Sequence, residues 1–287
     1  MNSAAVPAAP AAPAVVRSAM LDGRGHRSFL ADIVIEHGPR DVLGRLFLKA
    51  DTALREKGIF VSFADYDELR AANKANSDSW SPLLPVFDPA QGGLPEDQGL
   101  SLIGRNANGK PVFAQSSRVY QLGEGLLKDE IESLRMFYRD PAAMALSGEA
   151  MICSAPVAAA TTGTVVFNGA LWLHPEYRRL DIPYSTVPIA RGALFTRWNP
   201  GLIFSFMVPK LVQAGLAAVA RMHVDWEVTM INTPIKRGGT INAALVWLTA
   251  EEQHEHFRDY VAAASATGNA QVDGRVGERA PDQQRTG

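Results

Sequence analysis

The chain has a single cysteine, Cys153, in 287 residues. One thiol excludes an internal disulfide and a cysteine-based zinc site, and a reducing, cytoplasmic location is the default expectation. No motif surrounds Cys153, so it reads as a small buried apolar residue and not as a nucleophile. Net charge is equally scarce: the formal value is −2 at pH 7, which supplies no global attraction to nucleic acid or to an anionic membrane. No apolar run approaches the length of a membrane span. There is no Gly-x-Gly-x-x-Gly after a strand, which argues against a doubly wound nucleotide-binding enzyme. Nor is there a strand-turn-helix Gly-x-Ser-x-Gly, which leaves a hydrolase triad without an anchor. His254 and His256, among Glu251, Glu252 and Glu255, resemble metal ligands. Positions two apart on a helix point to different faces, however, so the expectation is solvated helix charges and no metal.

What is present is enough apolar material for a sizeable core, 47% of residues, as a chain of this length requires. Three regions are expected: an Ala/Pro-rich disordered stretch over 1–27, one folded domain over 28–264, and a disordered polar tail over 265–287. The first stretch has no basic beginning and its prolines interrupt the apolar run, so it is not read as a secretory signal. Inside the domain, Val42, Leu43, Leu46, Phe47, Ala50 and Leu54 recur at helical spacing and predict a helix from Asp41 to Lys57, stopped by Gly58. A second helix is expected over Ala64 to Asn76. Leu100 to Arg105 and Pro111 to Tyr120 flank Asn106-Ala107-Asn108-Gly109-Lys110, a hairpin signal. Leu126 to Tyr138 reads as an amphipathic helix. The remaining expectations are a helix from Pro209 to Arg221, strands around Val224 to Ile231 and Ile241 to Leu248, and a closing helix from Glu251 to Ala264. Lys236-Arg237-Gly238-Gly239 could cradle an anion, although a loop tip between two strands explains it without a ligand.

The most informative stretch runs from Thr164 through Leu171-Trp172-Leu173 to Pro183. Thr164-Val165-Val166-Phe167 continues past Gly169 into an apolar strand that Pro175 ends, because proline gives the ladder no donor. Pro183 then opens a helix that carries Ile189, Ala190, Ala193 and Leu194 at helical spacing up to Trp198, and a strand follows over Leu202 to Val208. These residues resemble the GCN5-related N-acetyltransferases, in which a strand ending in an aliphatic-x-Pro-x-x-Arg turn leads into a phosphate loop and a helix. Leu173, Pro175 and Arg178 match, whereas Arg179, Asp181 and Pro183 stand where the family has loop glycines. The element order beyond the Pro175 turn agrees with that family, whose minimal core does not require the Leu126 to Tyr138 helix, and the large amino-terminal helical part is also similar to acyl-homoserine-lactone and N-acyl amino acid synthases.

The resemblance implies an α+β fold of the acetyltransferase-like kind, a mixed, mostly antiparallel sheet with helices on both faces. It implies acyl transfer from a thioester donor, acyl-coenzyme A or an acyl carrier protein, to the amine of a small molecule. The donor would be held by Leu173, Arg178, Arg179, Ile182, Tyr184 and Ser185, with the two arginines replacing lost backbone donors. Many members place a glutamate on the central strand and a tyrosine beyond the next helix. Here no acidic residue lies between Thr164 and Leu173, and no tyrosine lies between Leu216 and His223, so His174 and Glu176 are the local candidates for a base. Phe63-Ala64-Asp65-Tyr66-Asp67, Asn73, Asn76 and Trp80, ahead of a long irregular passage, and Arg118 are candidates for the acceptor side, with a loop anchor as the alternative for Trp80 and an exposed strand arginine for Arg118. A catalytically inactive binding or interaction protein of the same fold is the competing expectation. Exposed strands near Trp247 can support a homodimer.

Overall fold

The computed structural model describes residues 28–88, 96–178 and 180–273. Its centre is one eight-stranded sheet in the order β1-β2-β3-β5-β6-β8-β7-β4. The strands are β1 (Phe60–Ala64), β2 (Gly99–Arg105), β3 (Pro111–Gln121), β4 (Ala150–Cys153), β5 (Thr164–Leu173), β6 (Leu202–Met207), β7 (His223–Ile231) and β8 (Thr240–Thr249). Every neighbouring pair is antiparallel except β5 and β6. This is the mixed, mostly antiparallel sheet with helices on both faces that the resemblance implies.

The helices are α1 (Arg40–Glu56), α2 (Tyr66–Ala75), α3 (Leu127–Glu132), α4 (Pro141–Met144), α5 (Pro156–Ala160), α6 (Pro183–Trp198), α7 (Pro209–Gln213), α8 (Leu216–Val219) and α9 (Ala250–Asp273). One face of the sheet carries α2, α3 and α5 over a buried cluster that runs from Ile103 and Ala114 through Phe167 and Phe204 to Leu245. On the opposite face apolar side chains fall into two clusters. The larger joins Leu43 and Phe47 of α1, Ile189 and Leu194 of α6 and Phe257 of α9 to Val166 and Ile203. The smaller joins Met207, Ala244 and Val246 to Ala217 of α8. α1 and α6 approach closely because Gly192 has no side chain: a Cβ there would lie 2.6 Å from the Phe47 ring.

Several expectations need correction. A strand, β1, stands between α1 and α2 where none was expected; Asp65 caps α2 by accepting from Glu68 N at 2.8 Å, so that helix starts later. The Leu126–Tyr138 helix shortens to α3, since Leu134 takes a left-handed φ of 62°. The Pro209–Arg221 helix divides into α7 and α8 at Gly215, whose φ is 82°. α4, β4 and α5 were not anticipated, and β4 extends the sheet beyond β7. α9 continues to Asp273, past the expected end at Ala264. The expected disorder over 1–27, and over the tail from 274 on, lies outside the described residues.

Candidate functional site

β5 and β6 share the register pairs Val165↔Leu202, Val166↔Ile203 and Phe167↔Phe204. Beyond these, β5 continues with β3 while β6 continues with β8, so the two parallel strands part. β5 bulges just past that point: Ser116 pairs with Gly169 but Ala114 pairs with Trp172, leaving Ala170 and Leu171 opposite Gln115 alone. Ala170 takes a left-handed φ of 49°. Bulges re-aim a strand and disrupt its ladder locally. Two neighbours fix this one. Asn168 Oδ1 accepts from Gln115 Nε2 at 2.6 Å and from Ser117 Oγ at 2.8 Å. Gly169 lies so close to Phe87 that a Cβ would meet its ring at 2.8 Å. The result is a stretch of β5 from Asn168 to Leu171 that, among the described residues, has no strand paired on its β6 side, beside the rings of Phe167 and Phe206, whose centroids are 5.4 Å apart.

Between β5 and α6 the backbone donors at the start of the helix are engaged locally. Asp181 has φ 51°, so it keeps the left-handed backbone of a loop glycine. Pro183 has no N–H, Tyr184 N donates to Asp181 O at 3.3 Å, and Ser185 N donates to Ile182 O at 3.0 Å. The first donors of the helix are therefore spent within the turn. Ile182 and Ser185 are buried, whereas the Tyr184 ring is 56% exposed and packs on Tyr260 at 5.5 Å. Arg178 is exposed and folds back, its Nε donating to Leu173 O at 3.1 Å. Arg179 lies outside the described residues.

His174 N donates to Val112 O at 2.8 Å, and its Nδ1 accepts from Glu176 N at 3.4 Å. Both residues line a cleft of about 530 Å³ with Asn76, Asn106, Asn108 and Lys110, at the tip of the β2–β3 hairpin. His174 is four residues beyond Ala170, about 13 Å at about 3.3 Å per strand residue. The two base candidates therefore belong to the cleft and not to the parting of the strands.

On the face covered by α2, Trp80 is a core anchor: it is 6% exposed and stacks on Trp172 at 4.9 Å and 7°. Burial explains why it offers no open ring to an acceptor. Arg118 is placed differently. It pairs with Gly99 on one side and with Phe167, the last residue before the parting, on the other. Its guanidinium lies 4.9 Å from the Tyr120 ring, and Nε and Nη1 are buried with no hydrogen-bond partner among the described residues. Tyr66 crosses Gly99, where a Cβ would fall 1.9 Å from its hydroxyl. Burial pushes the Tyr66 phenol up, against the pull of Ser116, Arg118 and Arg197. Ser101 and Ser116 hydrogen-bond to each other at 2.8 Å. The sequence reading passed over Ser101, Ser116 and Asn168; for Ser116 a signal was available, the polar run Gln115-Ser116-Ser117-Arg118 inside an otherwise apolar strand.

His254 and His256 are not solvated helix charges: His254 sits edge-on to Phe195 at 4.5 Å, and the Nδ1 of His256 is buried. Among the described residues no cluster of His, Cys, Asp and Glu could hold a metal, and no helix is long and apolar enough to cross a membrane. Cys153 is buried and burial pushes its thiol up, as befits a packing residue.

No known family profile matches the chain, and no curated protein does. Among solved structures, it is similar to a variant of the spermidine N-acetyltransferase SpeG from Vibrio cholerae, at 8% identity over 69% of this chain and 96% of that one, TM-score 0.42. It is also similar to NAA60 of Arabidopsis thaliana in complex with acetyl-CoA, at 11% identity over 67% and 98%, TM-score 0.42. A third similar structure is an uncharacterized protein from Bacillus halodurans, at 14% identity over 71% and 91%, TM-score 0.41. At these identities and scores the likenesses assign no activity.

Proposed function

We propose that the chain is an acyltransferase that moves an acyl group from a thioester, acyl-coenzyme A or an acyl carrier protein, to the amine of a small molecule. The observation that carries this reading is the parting of β5 from β6 with the bulge at Ala170. An unpaired strand edge suits an extended arm with amide groups, as in strand addition, and a bulge turns a backbone N–H toward a carbonyl oxygen that becomes negative during attack. The residues fit the arm better than they fit a nucleotide: the N–H groups of Tyr184 and Ser185 are engaged and Asp181 adds negative charge, which leaves Arg178 to meet phosphates. Arg118, beside Phe167, and Tyr66, which crosses Gly99, form the acceptor side, with Arg118 holding an acidic group of the amine substrate. β5 carries no carboxylate or imidazole. The chain therefore contributes placement and carbonyl polarisation, and the amine loses its proton to solvent.

Thiol release measured with short- and long-chain acyl-coenzyme A and with an acyl carrier protein, over a panel of amines with and without a carboxylate, tests the reading. Turnover is expected, with Arg178→Ala weakening coenzyme A donors more than carrier-borne ones. Absence of binding and turnover with every donor would overturn it. The engaged start of α6 favours one competing reading, a non-catalytic binding protein of the same fold. That reading predicts saturable donor binding without thiol release.

A further inference from the structure

α6 and α9 bury an arrangement of polar groups that packing does not explain. Arg191 of α6 is 5% exposed and Gln253 of α9 is 0% exposed. Arg191 Nη2, both amide atoms of Gln253 and Nδ1 of His256 are buried with no hydrogen-bond partner among the described residues. Gln253 and His256 are three apart on α9 and so share a face. The nearby carboxylates are engaged elsewhere: Glu252 bonds His223 and the N–H and hydroxyl of Thr249, and Asp259 pairs with Arg221 at 2.7 Å. Burial alone pushes the Arg191 guanidinium down to about 10, with no opposing carboxylate. Burial first, and then the cations Arg191 and Arg221, disfavour a charged His256, while Asp259 and Glu252 act the other way. An uncompensated buried guanidinium and an unpaired buried amide are both costly, and a protein retains such groups where something else completes them.

We infer that Arg191, Gln253 and His256 form a binding site for a single oxyanion, of phosphate or carboxylate type, at the junction of α6, α9 and the turn from α8 into β7. Phe195, one turn past Arg191 on α6, packs on His254 and Phe257, which sets Arg191 against the stretch of α9 that carries Gln253 and His256. The set is rich in donors, the Arg191 fork, the Gln253 amide and an imidazole N–H, and Gln253 Oε1 can accept from a protonated oxygen of the anion. His256 is only partly buried, and the exposed Arg221–Asp259 pair acts on its charge, so entry is placed on that side. The site lies on helices and not on the β5 edge, and it does not depend on acyl transfer. A free oxyanion or the phosphates of a coenzyme A donor would present the same chemistry.

The test is a thermal-shift and calorimetric titration of the full chain at constant ionic strength, with inorganic phosphate and coenzyme A in separate arms. One saturable site is expected for the wild type. Arg191→Met should abolish it and, in anion-free buffer, should melt no lower than the wild type, because it removes a buried charge that has no partner. Gln253→Leu should weaken the same binding by about tenfold. A response to phosphate identifies a free-oxyanion site, and a response to coenzyme A alone identifies the donor's phosphates; either supports the inference. No response in either arm, an unchanged response in Arg191→Met, or a lower anion-free melting temperature in that variant overturns it. Because no turnover is measured, an inactive protein would not obscure the result.

Discussion

The bulge in β5 rests on Gly169 and the Phe87 ring occupying the same small volume, and this predicts a specific coupling. In Gly169→Ala the new Cβ would lie 2.8 Å from Phe87 Cε2, 3.1 Å from its Cζ and 3.2 Å from Phe167 Cε1. Overpacking of this kind costs about 1–3 kcal/mol. Replacing glycine also reduces the freedom of the unfolded chain, which offsets about 0.4–1 kcal/mol. The net loss expected is therefore about 1–2 kcal/mol. Phe87→Ala removes a buried ring stacked on Phe167 at 5.7 Å and should cost about 3–5 kcal/mol. In the Phe87→Ala background the first two contacts vanish, and Gly169→Ala should become close to neutral. The double variant would then be more stable than the sum of the singles by about 1–2 kcal/mol. Urea midpoints at constant m-value measure all four corners of the cycle. If Gly169→Ala costs the same in both backgrounds, the close approach of ring to backbone is not what shapes the bulge.

Three further outcomes follow from described contacts. Tyr138→Phe should lose about 1.5–3 kcal/mol in chemical denaturation, since the buried hydroxyl donates to a Glu149 carboxylate that also accepts from Leu146 N; a loss within error would show that Glu149 is satisfied without it. For Glu252, burial acts to raise the carboxyl, but His223 and Thr249 outweigh it and hold it down to about 2. The folded value lies below the ordinary 4.5, so the stabilisation is present above that pH and is lost as pH falls toward about 2. The stability gap between wild type and Glu252→Gln should close over that window, and a gap that stays constant would contradict the pairing. Arg118→Met should raise KM for a carboxylate-bearing amine about tenfold with kcat little changed; equal loss with uncharged amines would remove Arg118 from acceptor recognition.

The elements legible in the sequence were those whose local signals agreed. Pro183 and the apolar spacing up to Leu194 marked both ends of α6, and Gly109, with φ 76°, marked the β2–β3 turn. β1 and β4 span five and four residues, too few for alternation to stand out from noise, and their pairing is decided by strands far away in sequence. Helical periodicity cannot foresee a left-handed residue such as Leu134, and it carried the reading of α3 too far. Arg118 stood out in the sequence as a charge inside an otherwise apolar strand, and Tyr66 only as one member of the run Phe63 to Asp67. Asn168 did not, because its partners Gln115 and Ser117 lie some fifty residues away and an amide in a strand has no local signature. Gln253 was hidden among charged neighbours. Only the packing of Phe257 and Tyr260 on α6 shows which face of α9 is inside.

The three register pairs between β5 and β6 act as the spine of a book. One leaf is β1, β2, β3 and β5; the other is β6, β8, β7 and β4. Beneath the spine the rings of Phe137, Phe167, Phe204 and Phe206 bind the leaves together, and above it Val166 and Ile203 join them within one apolar cluster. A molecule seated between the leaves therefore works as a wedge that sets their angle. Its arrival would register not only beside Ala170 but at the far margin, as slower amide exchange in β4, which touches no part of the opening and feels it through β7 and β8.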